Sequence, residues 1–354
     1  MTRFAFVIHP LRPRDAARRF PWMKYVPERW IEPVLGVVAP TVASRITGVC
    51  SLTGARTEGW FIGCPLTPHL MVRGLRLEQV YESILQCTEI AADLGAELVG
   101  LGAFTSVVGD GGITIAERAP IPVTTGNSYT VATAIEGTIK ACEQVGIVPR
   151  ESVLAVVGAT GSIGRTCAKM LAPEFGRTLL IGRNLERTRA LAGEVEGSEV
   201  ATGIEALREA DAVVTVTSSD EAIIEPEHLK SGAVVCDVAR PRDVSTRVAR
   251  QRPDVLVIEG GIVRVPGDVD FGLDFGFPPG TAYACMSETM MLALEGRAES
   301  FTLGKDVSVE QVLETQRLAA KHGFALDRFR SFEREVSQAA IERVRQARRG
   351  LVAA

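Results

Sequence analysis

From Val153 to Ile258, short apolar runs alternate with segments long enough to be helices, and this alternation allows very few folds. The runs are Val153–Val157, Thr178–Ile181, Val200–Thr202, Ala212–Val216, Ala233–Asp237 and Val255–Ile258. Parallel strands need crossover connections, and intervening helices supply them. Six such strands predict an α/β fold with a Rossmann-like, doubly wound parallel sheet.

At 354 residues the chain exceeds one ordinary core. Strand-like runs at Phe4–Ile8, Ile46–Leu52, Trp60–Ile62, Leu98–Leu101 and near Pro122–Thr124, with a helical period over Leu77–Leu94, predict a separate N-terminal α/β domain. Gly126-Asn127-Ser128 opens a long helix to about Val145, with Asn127 or Ser128 as its cap and Gly146 as its stop. After Gly260-Gly261 the pattern predicts helices at Met286–Glu295, Val309–His322 and roughly Asp327–Arg349. The expected division is 1–126 for substrate and catalysis, 127–284 for the dinucleotide, and 285–354 as helices packing back on the first domain.

A net charge of −4 offers no broad attraction to nucleic acid. No apolar run approaches a membrane-spanning length. Seven cysteines show no CxxC or Cys/His metal pattern, so no metal is expected, and they suit reduced thiols in a cytoplasmic setting.

The first run of the alternating region leads into Gly158-Ala159-Thr160-Gly161-Ser162-Ile163-Gly164 and a helix. Glycine there permits a tight turn, close approach of backbone to a pyrophosphate, and close strand–helix packing. The pyrophosphate would then sit on the helix-start amides. The second strand ends in Ile181-Gly182-Arg183-Asn184, with Arg187 a turn later and no acidic residue where an NAD ribose would need one. A guanidinium pairs with a 2′-phosphate, so the expected cofactor is NADPH. Thr217 and Ser218 after the fourth strand, and Gly260 and Gly261 after the sixth, complete the expected cofactor residues. Asp237 reads as a turn cap in preference to a substrate contact.

Cys285 stands where the helix Met286–Leu294 begins, and a helix start lowers a thiol pKa. Cys87, Cys142, Cys167 and Cys236 fall on apolar faces or in a strand and read as core. Cys64, before Pro65, is the rival nucleophile. His9 and His322 receive no role, because each ends an element.

With these features assembled, the chain resembles the long-chain acyl-[acyl-carrier-protein] reductases that form fatty aldehydes. The resemblance rests on Gly102-Ala103-Phe104-Thr105-Ser106, Thr124-Thr125-Gly126-Asn127, Val156-Val157-Gly158-Ala159-Thr160-Gly161, Gly182-Arg183-Asn184, Gly260-Gly261 with Asp268 and Asp270, Ala284-Cys285, and His322-Gly323-Phe324. It implies Cys285 as nucleophile, a long-chain acyl thioester as substrate, an acyl carrier protein as partner and NADPH as hydride donor. It places Phe104, Thr105, Ser106, Gly126 and Asn127 on the substrate side. The segment from Asp270 to Cys285 is short for that family, and the C-terminus is extended, which leaves chain length and donor (carrier protein or coenzyme A) open.

In that extension Phe329, Phe332, Val336, Ala340, Val344, Ala347 and Leu351 form one stripe, flanked by Arg343, Arg345, Arg348 and Arg349. A basic amphipathic helix suits a membrane surface or an acidic carrier, although a docking or dimerisation helix is the commoner use of the pattern. Arg12, Arg14, Arg18, Arg19 and Lys24 form a second basic group able to receive an acidic partner. Two other functions fit the same sequence. One is an NADPH dehydrogenase of a small polar substrate, of the shikimate type. The other is a non-catalytic NADP(H) sensor.

Overall fold

The computed structural model describes residues 1–18, 23, 25–219, 221–274 and 276–352. Arg19 and Lys24 of the N-terminal basic group lie outside them. The chain begins with β1 (Phe4–Ile8), α1 (Glu28–Leu35), β2 (Thr41–Cys50), β3 (Arg56–Gly63), α2 (Leu77–Asp93), β4 (Leu98–Leu101), α3 (Ile113–Arg118), β5 (Val123–Thr124) and α4 (Asn127–Val145). Next come β6 (Val153–Val157), α5 (Ser162–Leu171), β7 (Arg177–Ile181), α6 (Leu185–Glu194), β8 (Ser198–Ala201), β9 (Ala212–Thr215), β10 (Val234–Asp237), α7 (Thr246–Gln251) and β11 (Leu256–Glu259). The remainder is β12 (Ile262–Arg264), β13 (Gly267–Asp270), β14 (Thr281–Tyr283), α8 (Ala284–Leu294), α9 (Val309–His322), β15 (Ala325–Leu326), β16 (Arg330–Ser331), β17 (Arg334–Glu335) and α10 (Gln338–Val352).

These elements form two compact units. The first comprises Met1–Asn127, Val263–Lys305 and Glu314–Ala325, and the second Ser128–Ile262, Asp306–Leu313 and Leu326–Ala354. The expected three consecutive segments are thus interleaved. Residues 263–284, placed in the dinucleotide domain by sequence, belong to the first unit, and α10 belongs to the second.

The first unit is built on a sheet of order β13-β2-β3-β1-β4-β5, in which β1 runs parallel to β3 and β4. Strand alternation sends Ala5 and Val7 to one face and Phe4 and Phe6 to the other. Ala5, Val7, Ile62, Val99 and Leu101 share a core with Val80, Ile84, Cys87 and Ala91 of α2. On the opposite face Phe6 packs edge-on against Phe61. There Gly100 admits α8, because a Cβ at Gly100 would lie 2.1 Å from Thr289 Oγ1. Bare backbone at one strand position thereby sets how closely the cysteine-bearing helix approaches the sheet.

The second unit carries a wholly parallel sheet of order β11-β10-β9-β6-β7-β8. All five residues of β6 are apolar and four are fully buried, as a strand covered on both faces requires. The order reverses between β6 and β9, the place where doubly wound sheets leave a ligand crevice beyond their strand ends.

The expected helix over Asp327–Arg349 is instead a hairpin, β16–β17, followed by the shorter α10. Phe332 and Glu333 turn the hairpin with φ of 47° and 68°. A hairpin turn with positive φ at both central residues is usually made by glycine or asparagine. Here tertiary contacts hold it. Phe332 packs on the core beneath the second sheet, and the Glu333 amide donates to Glu259 Oε1 at 2.8 Å. In α10, Ile341 and Val344 are buried. Arg348 bonds Asp211 at 2.9 Å, and Arg345 donates to the Gln144 carbonyl at 3.1 Å. Two of the four cations expected on a free basic face therefore dock the helix to its own unit.

Candidate functional site

The turn after β6 is held from both sides. Gly158 and Ala159 donate their amides to the Ile181 carbonyl at 2.9 and 3.1 Å. Gly158 has φ of 78°, and a Cβ on it would meet the Val216 carbonyl oxygen at 2.6 Å. A Cβ on Gly164 would meet the Gly158 oxygen at 2.3 Å, so both glycines serve the fold itself. Gly161 differs. It caps α5 at φ −78° and, having no side chain, makes no capping hydrogen bond to the helix start. The nearest atom to a Cβ there is 3.3 Å away. Internal packing therefore demands glycine at 161 far less, whereas a pyrophosphate resting on the helix start would use that space. These residues fit a dinucleotide phosphate.

Beyond β7, Arg183 and Arg187 are exposed, and Arg183 Nη2 lies 3.4 Å from Ser218 Oγ. Asn184 caps α6, its Oδ1 accepting the Arg187 amide at 2.9 Å. Thr160 Cγ2 would lie 3.3 Å from a Cβ on Gly182, so the two loops adjoin. Thr217 is tied to the buried Asp243, its amide at 2.9 Å and its hydroxyl at 2.5 Å. Asp237 accepts the Val244 amide at 3.0 Å, and burial pushes its carboxyl up to about 7 against the opposing pull of Arg240. Gly260 and Gly261 form the turn into β12. There a Cβ on Gly260 would strike Val238 at 2.7 Å, which gives this glycine a packing cause. Thus Thr160, Gly161, Ser162, Arg183 and Ser218 converge around one end of the sheet, while Asn184, Thr217 and Gly260 also hold their own loops.

Among the seven cysteines, Cys50 and Cys285 alone are partly exposed. Cys64, the rival nucleophile, is buried beside Ser83 Oγ at 3.6 Å. Cys285 lies in the first turn of α8, and a Cβ on Gly126 would sit 2.3 Å from its Cα. Gly126 has φ of 72°, so no side chain shields the cysteine from this direction. The low thiol pKa expected from the helix start is not what the structure yields. Burial pushes the thiol up to about 12, opposed by the amides of Met286, Cys285 and Ala103, while Glu288 adds to the upward push. The helix-start amides are present, but desolvation outweighs them.

Phe104, Thr105 and Ser106 form a tight turn after β4. Thr105 Oγ1 closes it on the Gly102 carbonyl at 2.8 Å, and Ser106 Oγ bonds the Ala103 carbonyl at 2.7 Å. These hydroxyls are committed to the turn, and the group it presents to Cys285 is the Ala103 amide. Asn127 is buried at the start of α4.

Two residues bearing on this site were not assigned from sequence. His9 Nε2 accepts the Phe104 amide at 3.0 Å, with its ring edge-on to Phe104. Fully buried Glu288, one turn beyond Cys285, accepts from Thr124 Oγ1 at 2.5 Å and Thr302 Oγ1 at 3.0 Å. The spacing Cys285–Glu288 could have suggested the second, since i and i+3 share a helix face. No local signal points to His9.

The fold and the phosphate-type turn define a two-unit α/β protein with a doubly wound sheet of the dinucleotide-binding kind. A family model described as Shikimate / quinate 5-dehydrogenase matches residues 141–259. The chain is 28% identical over 330 residues to the long-chain acyl-[acyl-carrier-protein] reductase of Synechococcus elongatus, covering 88% of this chain and 94% of that one. It is 33% identical over 295 residues to aminotransferase PigE of Serratia sp., covering 78% of this chain and 33% of the relative. The chain thus spans a third of that relative's length. Shikimate dehydrogenase from Aquifex aeolicus is similar at a TM-score of 0.37 and 14% identity, over 72% of this chain and 86% of that one.

Proposed function

We propose that this protein is an NADPH-dependent oxidoreductase that reduces a long-chain acyl thioester to a fatty aldehyde through an acyl–Cys285 intermediate. The observation that carries this reading is the setting of Cys285: a half-buried cysteine in a helix start, whose sulfur is acted on by backbone amides from two elements. The Synechococcus relative, matched along nearly its whole length, supports the choice of an acyl thioester. In the first step the Cys285 sulfur bonds to the acyl carbon and the donor thiol leaves, taking the cysteine's proton. A bound NADPH would supply the hydride that, with a proton, frees the aldehyde and restores the Cys285 thiol. Two thioester-level steps replace one hard displacement. Arg183 and Arg187 would receive the 2′-phosphate.

Mixing the protein with a long-chain acyl carrier protein, without and then with NADPH, tests this by intact-protein mass spectrometry. An adduct on Cys285, discharged as aldehyde when NADPH is added, is expected. If neither carrier protein nor coenzyme A donors leave an adduct, the covalent route fails. The family match over 141–259 favours the second reading, a dehydrogenase of a small polar substrate, in which Cys285→Ala retains activity.

A further inference from the structure

We infer that His9 is a positioning residue for Cys285, acting through the 102–106 turn that presents the Ala103 amide to the sulfur. The inference rests on Cys285 as the reacting group and adds how its surroundings are fixed.

The route is short: His9 bonds the turn, the turn continues β4, and Gly100 of β4 backs onto Thr289, whose hydroxyl donates to the Cys285 carbonyl at 3.3 Å. His9 lies just beyond β1, and its Nδ1 lies 3.1 Å from the Pro10 carbonyl, which can only accept. That ring nitrogen therefore carries the proton, leaving Nε2 as the acceptor for the Phe104 amide. A neutral ring is required for this pair of bonds, and burial holds His9 down at about 4, so the ring stays neutral across the working range. Phe104 is in the first turn of a short helical segment, where its amide lacks an intrahelical acceptor. Immediately before it, Ala103 adopts φ of 47°, a left-handed backbone that a residue with a Cβ resists. The Gly102–Thr105 bonds and Ser106 Oγ brace the turn from within, while His9 pins it from β1. The strained residue is the one whose amide faces Cys285.

An unpinned turn could relax Ala103 toward ordinary φ and swing that amide away. The amides of Cys285 and Met286 belong to α8 and would stay. Loss of His9 should therefore weaken stabilisation of negative charge on the sulfur without removing it. The charged groups bearing on the pair are Asp15, acting on His9, and Glu288, acting on Cys285. Neither is altered in the test.

The test uses the full chain without cofactor or substrate, reading iodoacetamide alkylation of Cys285 by peptide mass mapping. His9→Phe keeps the ring bulk and removes the acceptor, whereas His9→Gln restores an acceptor near the Nε2 position. Alkylation in His9→Phe is expected to slow about tenfold, the loss expected of one amide bond to a charged group, with His9→Gln returning most of the rate. The Phe104 amide should also exchange slowly with deuterium in the wild type and rapidly in His9→Phe. Equal alkylation rates in wild type and His9→Phe would overturn the inference. So would rapid Phe104 exchange in the wild type, a measurement that needs no variant. Because alkylation requires no acyl donor, these outcomes are independent of whether an acyl adduct forms.

Discussion

A glycine is informative at the residue scale when the reason for it can be told from its neighbours. Gly126 and Gly137 lie eleven positions apart in sequence yet in opposite situations. At Gly126 the backbone is left-handed, and an added Cβ would overlap the Cα, Cβ and carbonyl oxygen of Cys285 within 2.6 Å. At Gly137, inside α4, the same atom would meet Ile258 at 3.5 Å and Leu326 at 3.7 Å, ordinary van der Waals contact. Gly126→Ala should cost about 1–2 kcal/mol for the backbone and a further 1–3 kcal/mol for the overlap. It should also change Cys285 alkylation. Gly137→Ala should be neutral or stabilising by up to about 1 kcal/mol, because alanine is the better helix former. Urea unfolding of the two variants measures both effects, and equal destabilisation would refute this account of Gly126.

At the scale of elements, α10 shows how a cationic helix can spend its charge on docking to its own unit. Asp211 is nearly buried, which raises a carboxyl pKa. Lys230, the Val153 amide and Arg348 nonetheless hold it below its ordinary value. Arg348→Ala removes one of these partners and should cost about 1–3 kcal/mol in urea unfolding. Arg343, on the exposed side, should tolerate alanine within about 0.5 kcal/mol. If both substitutions prove neutral, the Arg348–Asp211 pair does not anchor the helix. Sequence disclosed the strands of the second sheet to within a residue or two, because buried parallel strands are continuous apolar runs. It disclosed α2, α4 and α9 because their periodicity is long and ends in glycine. The 330–335 hairpin was illegible because its turn is Phe332-Glu333, held by Glu259 and by packing from distant sequence and lacking the usual turn residues. The site divides in the same way. Gly158–Gly164 and Cys285 announce themselves locally, whereas the Ala103 amide reaches Cys285, and His9 reaches the turn that carries it, only after β1, β4 and α8 have packed together.

At the scale of the molecule, the chain passes between its units five times, after residues 127, 262, 305, 313 and 325, so neither unit is a continuous segment. A ligand that binds the second unit stabilises a fold whose completion depends on residues before and after the first unit's segments. If that ligand is NADPH, its saturation at about 100 times Kd should add about 2.7 kcal/mol to the stability of the unit that binds it. On the proposed reading, the exposed guanidinium of Arg183 should set which dinucleotide gains most. Its bonds to a 2′-phosphate are charge-assisted, and losing them should cost about 1.5–3 kcal/mol, or roughly 10- to 100-fold in affinity. NADH lacks that phosphate and should change less than about threefold. Thermal melts of wild type and Arg183→Ala, titrated with each cofactor, separate these cases. A selective loss for NADPH assigns the 2′-phosphate to Arg183. Equal losses for both cofactors would instead mean that Arg183 supports the loop through Ser218, and preference would then have to come from Arg187. No stabilisation of the wild type by either cofactor would remove the dinucleotide from the proposed chemistry, whatever the order of the sheet.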